Sequence, residues 1–100
     1  MMYKIRIKYQ AKRDIQRIYD YIEYEVFAPI AAKRFLEGLR AKIERLKYSA
    51  HIFPISAYKD VSKYDTCARH VVYKGFTIIY SIHDDLVIVH RIIHCSLIKE

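Results

Sequence analysis

The segment VHRIIHCSLIKE, residues 89–100, threads one arginine and two histidines through an apolar run, and these side chains are the ones best suited to chemistry. The guanidinium of Arg91 could grip a phosphate or carboxylate through two parallel hydrogen bonds. His94 could move a proton, because imidazole changes charge near neutral pH. His90 and His94 are four residues apart, which in a regular strand puts them on one face but roughly 13 Å from each other, too far to share a metal ion. Arg69 is expected to approach Arg91 through strand pairing, and Lys59 and Lys63 add charge from a long loop. Together Arg69, Arg91, Lys59 and Lys63 could hold a phosphodiester, with binding that weakens as salt rises. The plainer reading of the same segment is a structural strand, with Val89 and Ile93 packing and the polar residues on a wet side.

Positioning those side chains requires a sheet and something to cover it. Tyr3, Ile5, Ile7 and Tyr9 alternate with Lys4, Arg6 and Lys8, the period of a strand with one buried face. From Ala11 the period lengthens. Ile15, Ile18, Tyr19, Ile22 and Val26 share a helical stripe, so Arg13, Asp14, Arg17 and Asp20 are expected to face solvent. Pro29 should end this helix near Phe27 and open the next, where its missing N–H is no loss. Ala32, Phe35, Leu36, Leu39, Ile43 and Leu46 form a second stripe, flanked by Lys33, Arg34, Arg40, Lys42, Arg45 and Lys47. Gly38 within it costs up to about 1 kcal/mol as a helix former, and it marks a place where two helices are expected to approach closely.

Residues 48–66 show no sustained period and read as a long loop broken by Pro54. Three β runs follow, at 67–73, 76–83 and 86–97, the first two joined by a tight Lys74–Gly75 turn. The order βααβββ predicts an α+β fold in one domain spanning residues 1–100. An N-terminal helical hairpin should pack on one face of a mostly antiparallel four-stranded sheet, leaving the other face open.

With 53% apolar residues the chain can bury a core, and a net charge of +7, carried almost wholly by the first 48 residues, favours an anionic partner. Cys67 and Cys95 are too few for a disulfide scaffold and read as reduced thiols of a cytoplasmic protein. No apolar run reaches bilayer length, so no membrane partner is expected. A glycine-rich phosphate loop, a nucleophile elbow and paired metal-binding cysteines are all missing. No cofactor and no metal are therefore expected.

The stretches AKRDIQRIYDYIEYE and APIAAKRFLEGLRAKIERL, the proline of HIFP, the hairpin ARHVVYKGFTIIYSI and the strand LVIVHRIIH occur in a fixed order. That ordered set resembles the RelE/ParE superfamily of toxins from bacterial and archaeal type II toxin–antitoxin modules. The helices are most similar to the ParE-like branch. The resemblance implies a small toxin held inactive by a cognate antitoxin, and Arg40 and Arg45 on the basic second helix are expected to contact that antitoxin. ParE-like members poison DNA gyrase, whereas RelE-like members are ribosome-dependent mRNA endonucleases. The chain departs from the RelE-like pattern, since Thr77 and Leu97 stand where arginines often occur, and CSLIKE replaces the basic tail common in ParE-like chains. The leading expectation is a ParE-like gyrase poison. Its rival is a RelE-like endonuclease acting on ribosome-bound mRNA through Arg69, Arg91 and His94, with help from Lys63. A third expectation, resting on the altered tail, is a homologue that has lost toxicity.

Overall fold

The computed structural model describes residues 2–99. The chain runs through β1 (Lys4–Ile7), α1 (Tyr9–Asp20), a π-helical turn (Tyr21–Glu25), α2 (Pro29–Ser49), α3 (Lys59–Ser62), β2 (Arg69–Tyr73), β3 (Phe76–His83) and β4 (Leu86–His94). The strands form one sheet in the order β1-β4-β3-β2. β2 with β3 and β3 with β4 are antiparallel, while β1 runs parallel to β4, so the expected mostly antiparallel α+β arrangement is the one that forms. Lys74 and Gly75 both have positive φ, the geometry of the tight turn whose twist matches that of the flanking strands.

The helices cover one face. Leu39, Ile43 and Leu46 of α2 are buried against Val71, Ile78, Tyr80, Val87, Val89 and Ile92 of the sheet, with Tyr3 completing the cluster. The end of α2 is tied down twice: Tyr3 N–H donates to the Lys47 carbonyl at 2.8 Å, and the buried Tyr80 hydroxyl donates to the Ala50 carbonyl at 2.7 Å. Gly38 serves a different contact from the one expected. A Cβ there would collide with the hydroxyl of Tyr73 and lie 2.9 Å from its Cζ, so the close approach is between helix and strand. Tyr73 is held in that position edge-on to Phe35, ring centroids 5.4 Å apart.

Among the described residues β1 pairs only with Leu86–Val89, and beyond Val89 that edge of β4 has no strand beside it. α1 takes the vacant place. Lys8 N–H donates to the Val89 carbonyl at 3.0 Å, and the Ile92 N–H is satisfied by Asp14 Oδ2 at 3.0 Å. Asp14, expected to face solvent, is therefore only 5% exposed. An orphan backbone donor on a strand edge needs an acceptor, and this carboxylate supplies it.

A bulge changes the phase of β4. Tyr80 pairs with Val89 and Ile79 with Arg91, leaving His90 as an extra residue. Val89 consequently lies in the helix-side core and Ile93 in a second cluster on the opposite face. His90 and His94 do not share a face as a regular strand would require. His90 bonds to Ser81, whereas His94 lies edge-on to Phe76, which packs against the helix-side core.

The opposite face is not open either. Val61 of α3 and Ala68 bury Ile79, with Tyr58, Tyr64, Ile93 and Ile98 packed around them. The aperiodic loop is folded down by Ser56 N–H to the Ala68 carbonyl at 2.8 Å and by an antiparallel bridge between Ile55 and Arg69. Among the described residues, no helix is long and apolar enough to cross a membrane.

Candidate functional site

The two arginines that sequence reasoning grouped are separated by the sheet. Arg91 projects from the bulged stretch of β4. Its Nε donates to Asp14 Oδ2 at 2.7 Å and one Nη to Asp14 Oδ1 at 3.0 Å, a two-pronged ion pair whose acid is buried. Asp14 raises the Arg91 pKa further, so the guanidinium is permanently charged and already partnered. Its remaining Nη lies 3.4 Å from the Tyr64 hydroxyl, and the charged plane sits 5.9 Å from the Tyr64 ring centre.

Arg69 pairs across β2 and β3 with Tyr80, on the helix side. One of its terminal nitrogens donates to the carbonyls of His51 and Phe53, clamping the chain as it leaves α2. Its Nε is buried without a hydrogen-bond partner. Arg69 and Arg91 therefore do not converge, contrary to the expected proximity.

His94 is exposed at the end of β4. Its Nδ1 accepts the Ser96 backbone N–H at 3.1 Å and lies 2.8 Å from the Ser96 hydroxyl, which leaves Nε2 free to carry the ring proton. It stands on the helix side of the sheet, away from Arg91. Lys63 pairs with Asp60 at 3.7 Å and lies 5.3 Å from the Tyr64 ring centre, so it joins Arg91 around Tyr64. Lys59 is exposed at the start of α3.

Sequence reasoning missed a groove between the two long helices. Ile7, Ile15, Leu36 and Ile43 give it an apolar floor, and Lys12, Lys33, Arg40 and Glu44 stand around it, enclosing a cavity of about 880 Å³. Arg40 lines this groove and Arg45 does not. The signal was present in the stripes themselves. Ile15 and Leu36 belong to them yet remain only partly buried, so the helices carry more apolar surface than the sheet covers. Further out, the π-helical turn and the reversal at Phe27, with φ of 57°, leave Tyr24, Phe27 and Ile30 exposed at the hairpin tip. On the other side of the sheet, Asp65, Cys67 and His83 bring three metal-ligating side chains together.

Comparison with known proteins agrees with this architecture. The family described as ParE toxin of type II toxin–antitoxin system, parDE, matches residues 5–97. Among solved structures, a chain of the chromosomal ParDE toxin–antitoxin system from P. aeruginosa superposes with a TM-score of 0.75 at 15% identity, covering 93% of this chain and 96% of that one. A chain of the toxin–antitoxin complex RelBE2 from Mycobacterium tuberculosis superposes with a TM-score of 0.63 at 16% identity, covering 94% and 99%. At such identities the two structures speak for the fold alone. No curated protein sequence matches the chain.

Proposed function

Because the chain belongs to the ParE toxin family of type II toxin–antitoxin systems, we propose that it arrests growth by engaging DNA gyrase as a non-catalytic ligand, and that a cognate antitoxin neutralises it. The observation that carries this reading is the separation of Arg69 from Arg91, each bound to an internal partner. Cleaving RNA through its 2′-hydroxyl needs proton-transfer groups and cations to converge on one phosphate. Here Arg69 and His94 lie on the helix side, while Arg91 and Lys63 lie on the other. A poison of gyrase needs only a complementary surface. The exposed apolar tip formed by Tyr24, Phe27 and Ile30 supplies surface of the kind a protein target covers.

The antitoxin segment fits the helical groove, whose apolar floor and cationic rim select an amphipathic chain with apolar anchors and acidic flanks. Arg40 contacts it directly in this reading, and Arg45 contributes at most through long-range attraction.

Purified protein titrated into gyrase and supercoiled DNA tests the proposal. Supercoiling should be lost and cleaved DNA should accumulate, with antitoxin reversing both. The reading fails if gyrase is untouched at saturating dose while ribosome-bound messages are cut, and cutting is lost in Arg91→Ala.

A further inference from the structure

On the face opposite the helices, Asp65 and Cys67 occupy the turn that leads into β2, and His83 ends β3. Cys67 Sγ lies 3.0 Å from Asp65 Oδ1 and 4.0 Å from His83 Nε2. The same Nε2 lies 2.7 Å from Asp65 Oδ2. The donor atoms of all three residues fall within 4.8 Å of one another, a span that a single ion bonded to each at about 2.0–2.3 Å can bridge.

A cysteine–histidine–aspartate catalytic arrangement does not explain this geometry. In such a relay the acid holds the imidazole nitrogen remote from the nucleophile. Here one nitrogen faces both sulfur and carboxylate. Convergence of carboxylate oxygen, sulfur and imidazole nitrogen on one point is instead the arrangement of a ligand set.

We propose that Asp65, Cys67 and His83 bind one zinc-class divalent ion through a carboxylate oxygen, Sγ and Nε2, with water in the fourth position. A sulfur–nitrogen–oxygen set suits zinc and excludes magnesium or calcium, which take oxygen donors. On binding, the Cys67 S–H bond breaks, a sulfur–metal bond forms and the proton passes to buffer. His90, 7% exposed, closes the inner side: its Nε2 is 2.8 Å from Ser81 Oγ and 3.9 Å from Asp65 Oδ2, too far for a direct hydrogen bond to the ligating carboxylate. The ion ties the end of the loop that carries Tyr58, Val61 and Tyr64 to the sheet this loop covers. Sequence reasoning missed the set because a lone cysteine with a histidine sixteen residues on matches no paired-ligand spacing.

The test uses the full chain, stripped with a chelator and titrated separately with Zn²⁺ and Co²⁺. One ion per chain is expected, with proton release, a thiolate-to-cobalt charge-transfer absorption, and protection of Cys67 from a thiol reagent. With zinc at about a hundred times its Kd, the melting temperature should rise by about 10 °C or more. Cys67→Ser should abolish the absorption, His83→Gln should move its cobalt midpoint to higher concentration, and each should weaken zinc binding at least about tenfold, while Cys95→Ser leaves both unchanged. His83 is half exposed, so its variant should keep the wild-type circular dichroism. No cobalt absorption in the wild-type chain, an absorption that follows Cys95, or unchanged zinc affinity in His83→Gln overturns the proposal.

Discussion

Arg69 and Arg91 in the sheet are engaged by partners inside the protein, whereas Lys12, Lys33 and Arg40 on the helical hairpin surround a groove and enter no ion pair among the described residues. The difference follows from layering. Both faces of the sheet are covered, so a cation there must find an internal acceptor or keep an unpaired charge out of water. The hairpin has one covered side and one free side, and these three cations stay available. In the proposed reading recognition chemistry resides in the helices, and the strand that looked most reactive is architectural.

The sharpest way to break this comparison is to remove Asp14. Asp14→Ala strands the Arg91 charge and leaves the Ile92 N–H without an acceptor. Because Arg91 is 28% exposed, the loss should fall at the low end for a broken buried pair, about 3 kcal/mol in a urea titration. A loss within experimental error would mean that Arg91 is free to serve a substrate after all. On the helical side, Arg40→Glu should weaken antitoxin binding about tenfold, near 1.4 kcal/mol, with stability unchanged. Arg45→Glu should do less, and calorimetry that ranks Arg45 above Arg40 would move the antitoxin off the groove.

Gly38→Ala should destabilise by about 1 kcal/mol, since overpacking against Tyr73 outweighs the gain in helix propensity. Adding Tyr73→Phe removes the colliding hydroxyl but keeps Cζ close, and should recover part of that loss in thermal melts. The smallest effect concerns His70, stacked on Tyr58 with ring centroids 5.4 Å apart. Burial lowers its pKa from 6.5, so the fold favours the neutral ring. Its contribution to stability is present above pH 6.5 and is lost as pH falls through the lower folded value. Denaturation midpoints should decline on acidifying from pH 7, and His70→Phe, which keeps the stack, should flatten that decline.

Much of the architecture was legible because local signals agreed. Pro29 stands at the first position of α2, and the Lys74–Gly75 turn joins β2 to β3 as its residues require. The failures were of another kind. Asp14 owes its burial to an arginine 77 residues away, which no helical stripe reports. A bulge at His90 adds one residue without altering the run of apolar types, so Val89 and Ile93 read as partners on one face when they lie on two. The loop was aperiodic because α3 is one short turn and the remaining contacts are made by isolated side chains such as Tyr58 and Tyr64. Arg91 and His94 were recognisable as polar residues in a core strand, but their partners were not.

The central claim is that this toxin works by occupying its target and not by cleaving RNA. It is tested most directly by mapping DNA ends and mRNA ends from one culture arrested by the protein without its antitoxin. Broken DNA at gyrase cleavage sites beside intact messages is the predicted result; messages cut in the ribosomal A site beside unbroken DNA would contradict it.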